Sequence, residues 1–136
     1  MNNYFSIGEL DYISAQELLK INLVNYNTVA VHCQQACEKY LKHLVVLHNI
    51  EPQYISTYGE SKMILASHNL VSIMHFLEDN GVSINVSKRH LDFLSKFYFK
   101  ARYPGDQFIE VDSKTAGQCI VYTENVREEV LKNINL

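Results

Sequence analysis

NTVAVHCQQACEKYLKHLVVLH, residues 27–48, is the stretch on which the fold turns. Val29, Cys33, Ala36, Tyr40, Leu44 and Leu47 recur at intervals of three and four, which lines them along one face of an α-helix. The opposite face carries Gln34, Gln35, Glu38, Lys39 and Lys42, with Glu38 and Lys42 in the favourable i, i+4 order of an exposed pair. A helix from about Asn27 to His48 is predicted, and its long apolar stripe should put it at the centre of the domain. Ala36 is small on a face that is otherwise large and apolar, so a close helix–helix contact is expected there.

Working outward, four more segments carry helical periodicity. Leu10, Ile13, Leu18 and Ile21, with Tyr12 and Ala15 beside them, form the stripe of a first helix reaching Asn22 or Asn25. After the central helix, Glu51-Pro52 stops the run and Tyr58-Gly59 marks a turn, while residues 62–66 have no assignable pattern. Ser67 then caps a short helix holding Leu70, Ile73, Met74 and Leu77, closed by Asn80-Gly81. Ser87 opens a fourth, with Leu91, Leu94, Phe97, Tyr98 and Ala101 on one side and Pro104-Gly105 at its end. Asp112 or Ser113 caps the last, in which Ala116, Ile120, Thr123, Val126 and Val130 face inward. Short polar connections make neighbours pack antiparallel, so the expectation is one all-α domain over residues 1–136, an antiparallel bundle of four to five helices.

Composition agrees. With 47% hydrophobic and 20% charged residues the chain is globular in type, and 136 residues can bury a core without metals or disulfides. Five Gly and two Pro are too few for the turns of an all-β fold. The net charge of −3 argues against coating nucleic acid by bulk electrostatics, but leaves room for a local basic site. MNNYFSIGELDY has no basic leader before an apolar run, and no apolar stretch approaches the ~20 residues of a membrane helix. Three cysteines without a CxxC pair suit reduced thiols in a cytoplasm. Cys33 and Cys37 share the apolar face and read as small hydrophobes. His32 and His43 are roughly 16 Å apart along a helix, too far to share a metal. No metal or cofactor is expected.

HCQQACEKYLKHL, His32 to Leu44, resembles the signature helix of HEPN domains, the helical partners of small nucleotidyltransferases in bacteria and archaea. Three further pieces follow in the family's order: a first helix of A-x-x-L-L type (Ala15 to Leu19), a His before an apolar helix (His68-Asn69-Leu70), and Ala101-Arg102-Tyr103-Pro104. The resemblance spans nearly the whole chain. It implies a bundle of four or five helices, usually a homodimer. In some members it implies a metal-independent ribonuclease or toxin whose site lies at the dimer interface. The motif of those members is an Arg followed after four to six residues by a His, the His serving proton transfer and the Arg stabilising charge on the phosphate.

The chain departs from that motif. The positions after Arg102 hold Gln107, Phe108 and Ile109; those after Arg89 hold Leu94, Ser95 and Lys96; no His follows Arg127. Gln107 can hydrogen-bond a phosphate but cannot exchange a proton near neutral pH. No catalytic residue is therefore assigned. The reading is a non-catalytic HEPN protein that binds a nucleotide, an RNA phosphate or a nucleotidyltransferase partner, as in a toxin–antitoxin-like pair. The alternatives are a ribonuclease with a displaced catalytic His (His68, His75 or His90), or a purely structural dimerisation module.

Arg102 and Tyr103 sit where a helix gives way to a Pro-Gly turn, a place from which a guanidinium can grip phosphate in bidentate fashion. Equally, Arg102 can pair with Glu38 or Asp106 and lock the turn onto the bundle. Lys39 and Lys42 can offer two charges to an anion, or simply form a solvated helix face. His68 is a ligand candidate, or a first-turn residue bonded to nearby backbone. Of the many aromatic residues, Tyr4, Phe5, Tyr12, Tyr26, Tyr40, Tyr98, Phe99 and Tyr103 among them, most read as core and a subset as lining a dimer interface.

Overall fold

The computed structural model describes residues 3–21, 26–48, 64–105 and 107–135. Within them the chain is helical with no strand: α1 (Tyr4–Lys20), α2 (Tyr26–Leu47), α3 (Leu70–Asp79), α4 (Lys88–Ser95), α5 (Phe97–Lys100) and α6 (Ser113–Ile134). The expected stops at Asn22 or Asn25, at Glu51-Pro52 and at Tyr58-Gly59 lie outside the described residues, as do residues 62–63 and Asp106. Helices α4 and α5 are the single fourth helix of the sequence reading, broken by a tightened turn at Lys96.

Caps fix the helix ends. Asn3 Oδ1 accepts from Ser6 N–H at α1, and Asp112 Oδ1 accepts from Thr115 N–H at α6. The cap of α3 is Asn69, not Ser67: Asn69 Oδ1 takes the Ser72 N–H, while Ser67 Oγ takes the Asn69 N–H one step earlier. Gly81 ends α3 at φ 84°, a left-handed conformation that glycine adopts without a Cβ clash.

Helix α2 touches every other helix among the described residues. Phe5 against Tyr40 and His43, and Asp11 against His32 and Lys39, set α1 antiparallel to it. Asn27 beside Val111 and Cys37 beside Thr123 make α6 run in the same direction as α2. The core is the α2 stripe packed on Leu70, Ile73, Leu77, Leu91, Leu94, Phe97, Ala116, Val126 and Val130. Ala36 is fully buried at the α1 crossing, where a Cβ on Gly8 would meet the Ala36 carbonyl oxygen at 3.3 Å and the Tyr40 ring at 3.1 Å. Cys33, Cys37 and Cys119 are buried and free, and burial pushes the Cys33 thiol up to about 12, so these are packing residues rather than nucleophiles.

Two faces differ from the sequence expectation. On α1 the buried residues are Gly8, Asp11, Tyr12 and Ala15, whereas Leu10 is 63% and Ile13 50% exposed. The small residues let α1 approach α2 closely, and Asp11 is tolerated inside because Lys39 Nζ donates to its Oδ2 at 2.6 Å and His32 Nδ1 lies 2.9 Å from its Oδ1. On α2 the supposedly wet residues Gln34, Glu38 and Lys42 are buried, and Gln34 and Glu38 meet His68, far along the chain.

Candidate functional site

A polar network leaves the core at the middle of α2. Lys42 Nζ donates to Glu38 Oε2 at 2.9 Å, with side chains only 5% and 11% exposed, so the pair is buried rather than solvated. Gln34 Nε2 donates to Glu38 Oε1 at 3.1 Å and to the His68 carbonyl at 3.2 Å. His68 Nδ1 lies 2.9 Å from the same Oε1. Among the described residues, every short contact of this carboxylate is thus made by a neighbour on α2 or by the entry to α3. A charged group at this depth is stable only with such partners.

His68 carries the network to the surface. Its ring stacks on Tyr98 at 3.7 Å between centroids and 12° between planes, while its side chain stays 41% exposed. Tyr98 also takes the Arg102 guanidinium, whose Cζ is 4.9 Å from the ring centroid; Tyr103 lies 5.6 Å from the same carbon. Phe99 packs edge-on to Tyr98 and tilted to Tyr103. The result is an exposed cluster of one imidazole, one guanidinium and three aromatic rings, held from below by Glu38 and Lys42.

The site residues named from sequence divide accordingly. Glu38, His68, Arg102 and Tyr103 come together, with Lys42 as the buried counter-ion of Glu38. Lys42 cannot act with Lys39 as a two-charge anion clamp, because Lys39 turns to Asp11 on α1 and each ammonium already faces a carboxylate. The alternative pairing of Arg102 with Glu38 is not formed: Glu38 is occupied by Gln34, Lys42 and His68, and Arg102 is exposed. Asp106, its other suggested partner, lies outside the described residues. Of the displaced-His candidates, His90 stacks on Tyr122 and His75 is exposed on α3, so only His68 shares a ring with Arg102.

Two positioning residues escaped the sequence reading. Tyr98 looked like one more member of an apolar stripe, and nothing local marks it as the ring joining His68 to Arg102. Asn27 looked like an ordinary first helical residue. Its Nδ2 donates to the Ala101 and Ile109 carbonyls at 3.3 and 2.7 Å, and its Oδ1 accepts from Val111 N–H at 2.8 Å. One side chain therefore staples both ends of the loop that carries Arg102. Beside this staple runs an open cleft of about 1040 Å³, with Tyr26, Arg102, Phe108 and Asp112 among its lining residues.

Elsewhere, Glu9 on α1 accepts from Arg127 Nε and Nη2 at 2.6 and 3.0 Å and from the Tyr40 hydroxyl. The Arg127 bond holds the Glu9 carboxyl below the ordinary carboxylate range against the opposing effect of burial. This lock joins α1, α2 and α6 and lies apart from the exposed cluster. No group of His, Cys, Asp and Glu among the described residues has the arrangement to hold a metal ion, and no described helix is long and apolar enough to cross a membrane.

A family model described as HEPN domain matches residues 1–134. No curated protein and no solved structure matches the chain.

Proposed function

The chain belongs to the HEPN domain family, and from that premise we propose that it is a non-catalytic member binding a nucleotide or RNA phosphate at Arg102. The observation that carries this reading is the state of that guanidinium. It is exposed, lies against Tyr98 and Tyr103, and forms no ion pair with a described carboxylate. Aromatic faces limit the motion of the guanidinium plane while leaving its N–H edge free, which suits a bidentate grip on phosphate. The neighbouring Tyr103 and Phe99, both exposed, offer faces for a base. The missing Arg-x4–6-His pairing is why the reading stops at binding.

Fluorescence anisotropy with a labelled single-stranded RNA tests it. Arg102→Ala should weaken binding at least tenfold, with a melting temperature within about 3 °C of wild type, because exposed cation–π contacts contribute only ~0.5–1 kcal/mol. Arg102→Lys should not restore affinity, since an ammonium lacks the planar fork. Unchanged binding by Arg102→Ala would refute the assignment.

One observation favours a second reading, metal-independent RNA cleavage. Glu38 fixes the His68 ring through Nδ1, leaving Nε2 for a substrate proton, and Tyr98 joins that ring to Arg102. Cleavage that survives repurification and vanishes in His68→Ala would establish it. We also propose that the module is a homodimer, because Ile7, Leu10 and Ile13 leave an apolar face of α1 uncovered. Light scattering of wild type and Leu10→Glu should show a dimer and a monomer, and a monomeric wild type would end that proposal.

A further inference from the structure

The chain's charge is unevenly spread. Although the net charge is −3, five of its twelve Lys and Arg residues fall between residues 88 and 102: Lys88, Arg89, Lys96, Lys100 and Arg102, against the single acid Asp92. Helical spacing through α4 and α5 gathers Arg89, Lys96 and Lys100 along one groove of about 540 Å³, whose wall includes Phe93, Asn69 and Ser95. Asp92 also lines it, leaving three cations to one carboxylate. None of the three cations forms an ion pair with a described residue; Lys96 Nζ instead rests 4.4 Å from the Phe93 ring centroid. A merely solvated basic face would be convex and interspersed with acids. This one is concave.

Asn69 and Ser95 belong to a second hollow as well, of about 300 Å³, lined further by Ser67, His68, Tyr98 and Phe99. That volume is at the lower end for a small-ligand site, ~300–1,000 Å³. Its walls are the stacked His68–Tyr98 pair and the Phe99 ring, which is left 62% exposed. A nucleobase would cover this apolar surface, and base–aromatic stacking is sequence-tolerant. The polar side chains of Ser67, Asn69 and Ser95 can meet its edge.

We propose that these two hollows form one nucleotide subsite, with a base in the His68–Tyr98–Phe99 hollow and a phosphate in the Arg89–Lys96–Lys100 groove, and that its ligand is an internal nucleotide of a single strand. The choice of a strand over a free mononucleotide follows from the two cationic anchors that adjoin the base hollow. The Arg89–Lys96–Lys100 groove adjoins it through Asn69 and Ser95, and Arg102 adjoins it through Tyr98. Two separate cationic anchors thus adjoin one base-sized hollow; a mononucleotide such as AMP carries phosphate on one side of its sugar only, whereas a nucleotide within a chain has one on each. The inference rests on the phosphate-binding reading of Arg102 and extends it to a track over α4 and α5.

The experiment uses the full chain and a fluorescein-labelled single-stranded RNA octamer, with AMP and a poly-glutamate peptide as competitors. Lys96→Gln/Lys100→Gln should weaken octamer binding roughly tenfold at low salt and reduce the slope of log K against log salt by ~0.7 for each lost phosphate contact. Arg89→Gln, at an exposed position, gives an independent variant should the double substitution fold poorly, and should lower both quantities in the same direction. AMP should compete at least a hundredfold less well than the unlabelled octamer. If the Lys96/Lys100 and Arg89 variants bind as wild type while Arg102→Ala does not, the subsite falls and the phosphate site at Arg102 stands. Equal competition by AMP would overturn the strand, and equal competition by poly-glutamate would make the groove an acidic-peptide surface instead. A wild type that binds no octamer overturns both this proposal and the reading beneath it.

Discussion

Lys42→Met removes the only ammonium that faces Glu38 among the described residues, and the structure sets the scale of the consequence. Met approximates the volume of the lysine stem, so the change is chiefly one of charge. Glu38 Oε1 keeps Gln34 and His68, but Oε2 loses the Lys42 ammonium at 2.9 Å, its one partner among the described residues, at a side chain only 11% exposed. Breaking a buried pair from one side costs ~3–5 kcal/mol; the half-exposed His68 nearby admits water, which favours the lower end. At ~3 °C per kcal/mol for a domain of this size, the melting temperature should fall by roughly 10 °C. The measurement is thermal and urea unfolding at pH 7, followed by circular dichroism. The companion variant Glu38→Gln/Lys42→Met carries no stranded carboxylate and should recover at least half of the loss. A Lys42→Met protein melting within about 2 °C of wild type would refute the reasoning, as would a double variant less stable than the single one.

Two further outcomes are expected. Because Arg127 holds the Glu9 carboxyl below its ordinary value near 4.5, the folded protein binds that proton more weakly than the unfolded chain does. The stabilisation is therefore complete above the unfolded value and is lost as pH falls through the folded one; urea melts should find Glu9→Gln less stable by ~1–3 kcal/mol at pH 7, with the gap closing towards pH 3, and a pH-independent gap would contradict this. Asn27→Ala deletes three hydrogen bonds to the backbone of the Arg102 loop, so it should weaken RNA binding severalfold and speed amide exchange at Ile109 and Val111, whereas unchanged exchange there would show the staple to be dispensable.

The residues that made the fold legible are those whose environment is set by their own helix. Val29, Cys33, Ala36, Tyr40 and Leu44 are buried as their spacing requires, and Asp112 caps α6 as its position suggests. The misread residues take their environment from elsewhere in the chain. Leu10 and Ile13 drew the eye as the larger side chains of α1, but close approach to α2 selects the small Gly8 and Ala15, and leaves the larger ones outside. Gln34, Glu38 and Lys42 have the composition of a wet face. Gln34 and Glu38 meet His68, thirty positions beyond Glu38, and no local pattern encodes that meeting. The candidate site was legible as a set of residue types, Arg102, Tyr103, His68 and Glu38, and illegible as an arrangement. Tyr98, which holds the arrangement together, has the period of a core residue because it is half buried.

The same network explains why a bundle with an ample apolar core keeps charge inside it. A buried ion pair is commonly no better for stability than well-packed apolar residues of the same volume, and this one brings an added cost: Gln34 Oε1 is buried without a described partner. Stability alone therefore gives little reason for Gln34, Glu38 and Lys42 to stand where they do. Position does. Lys42 fixes one oxygen of Glu38, the other oxygen fixes the His68 imidazole, and that ring lies flat on Tyr98, against which Arg102 rests. Remove the buried carboxylate and the surface keeps its residues but loses the contact that orients His68. Glu38→Leu/Lys42→Met separates the two effects, because it replaces the pair with apolar groups of similar size. It should melt at or above the wild-type temperature and yet bind RNA more weakly, with His68 ring resonances broadened in NMR spectra. A variant that gains stability and keeps full affinity would show that the network orients nothing the ligand needs.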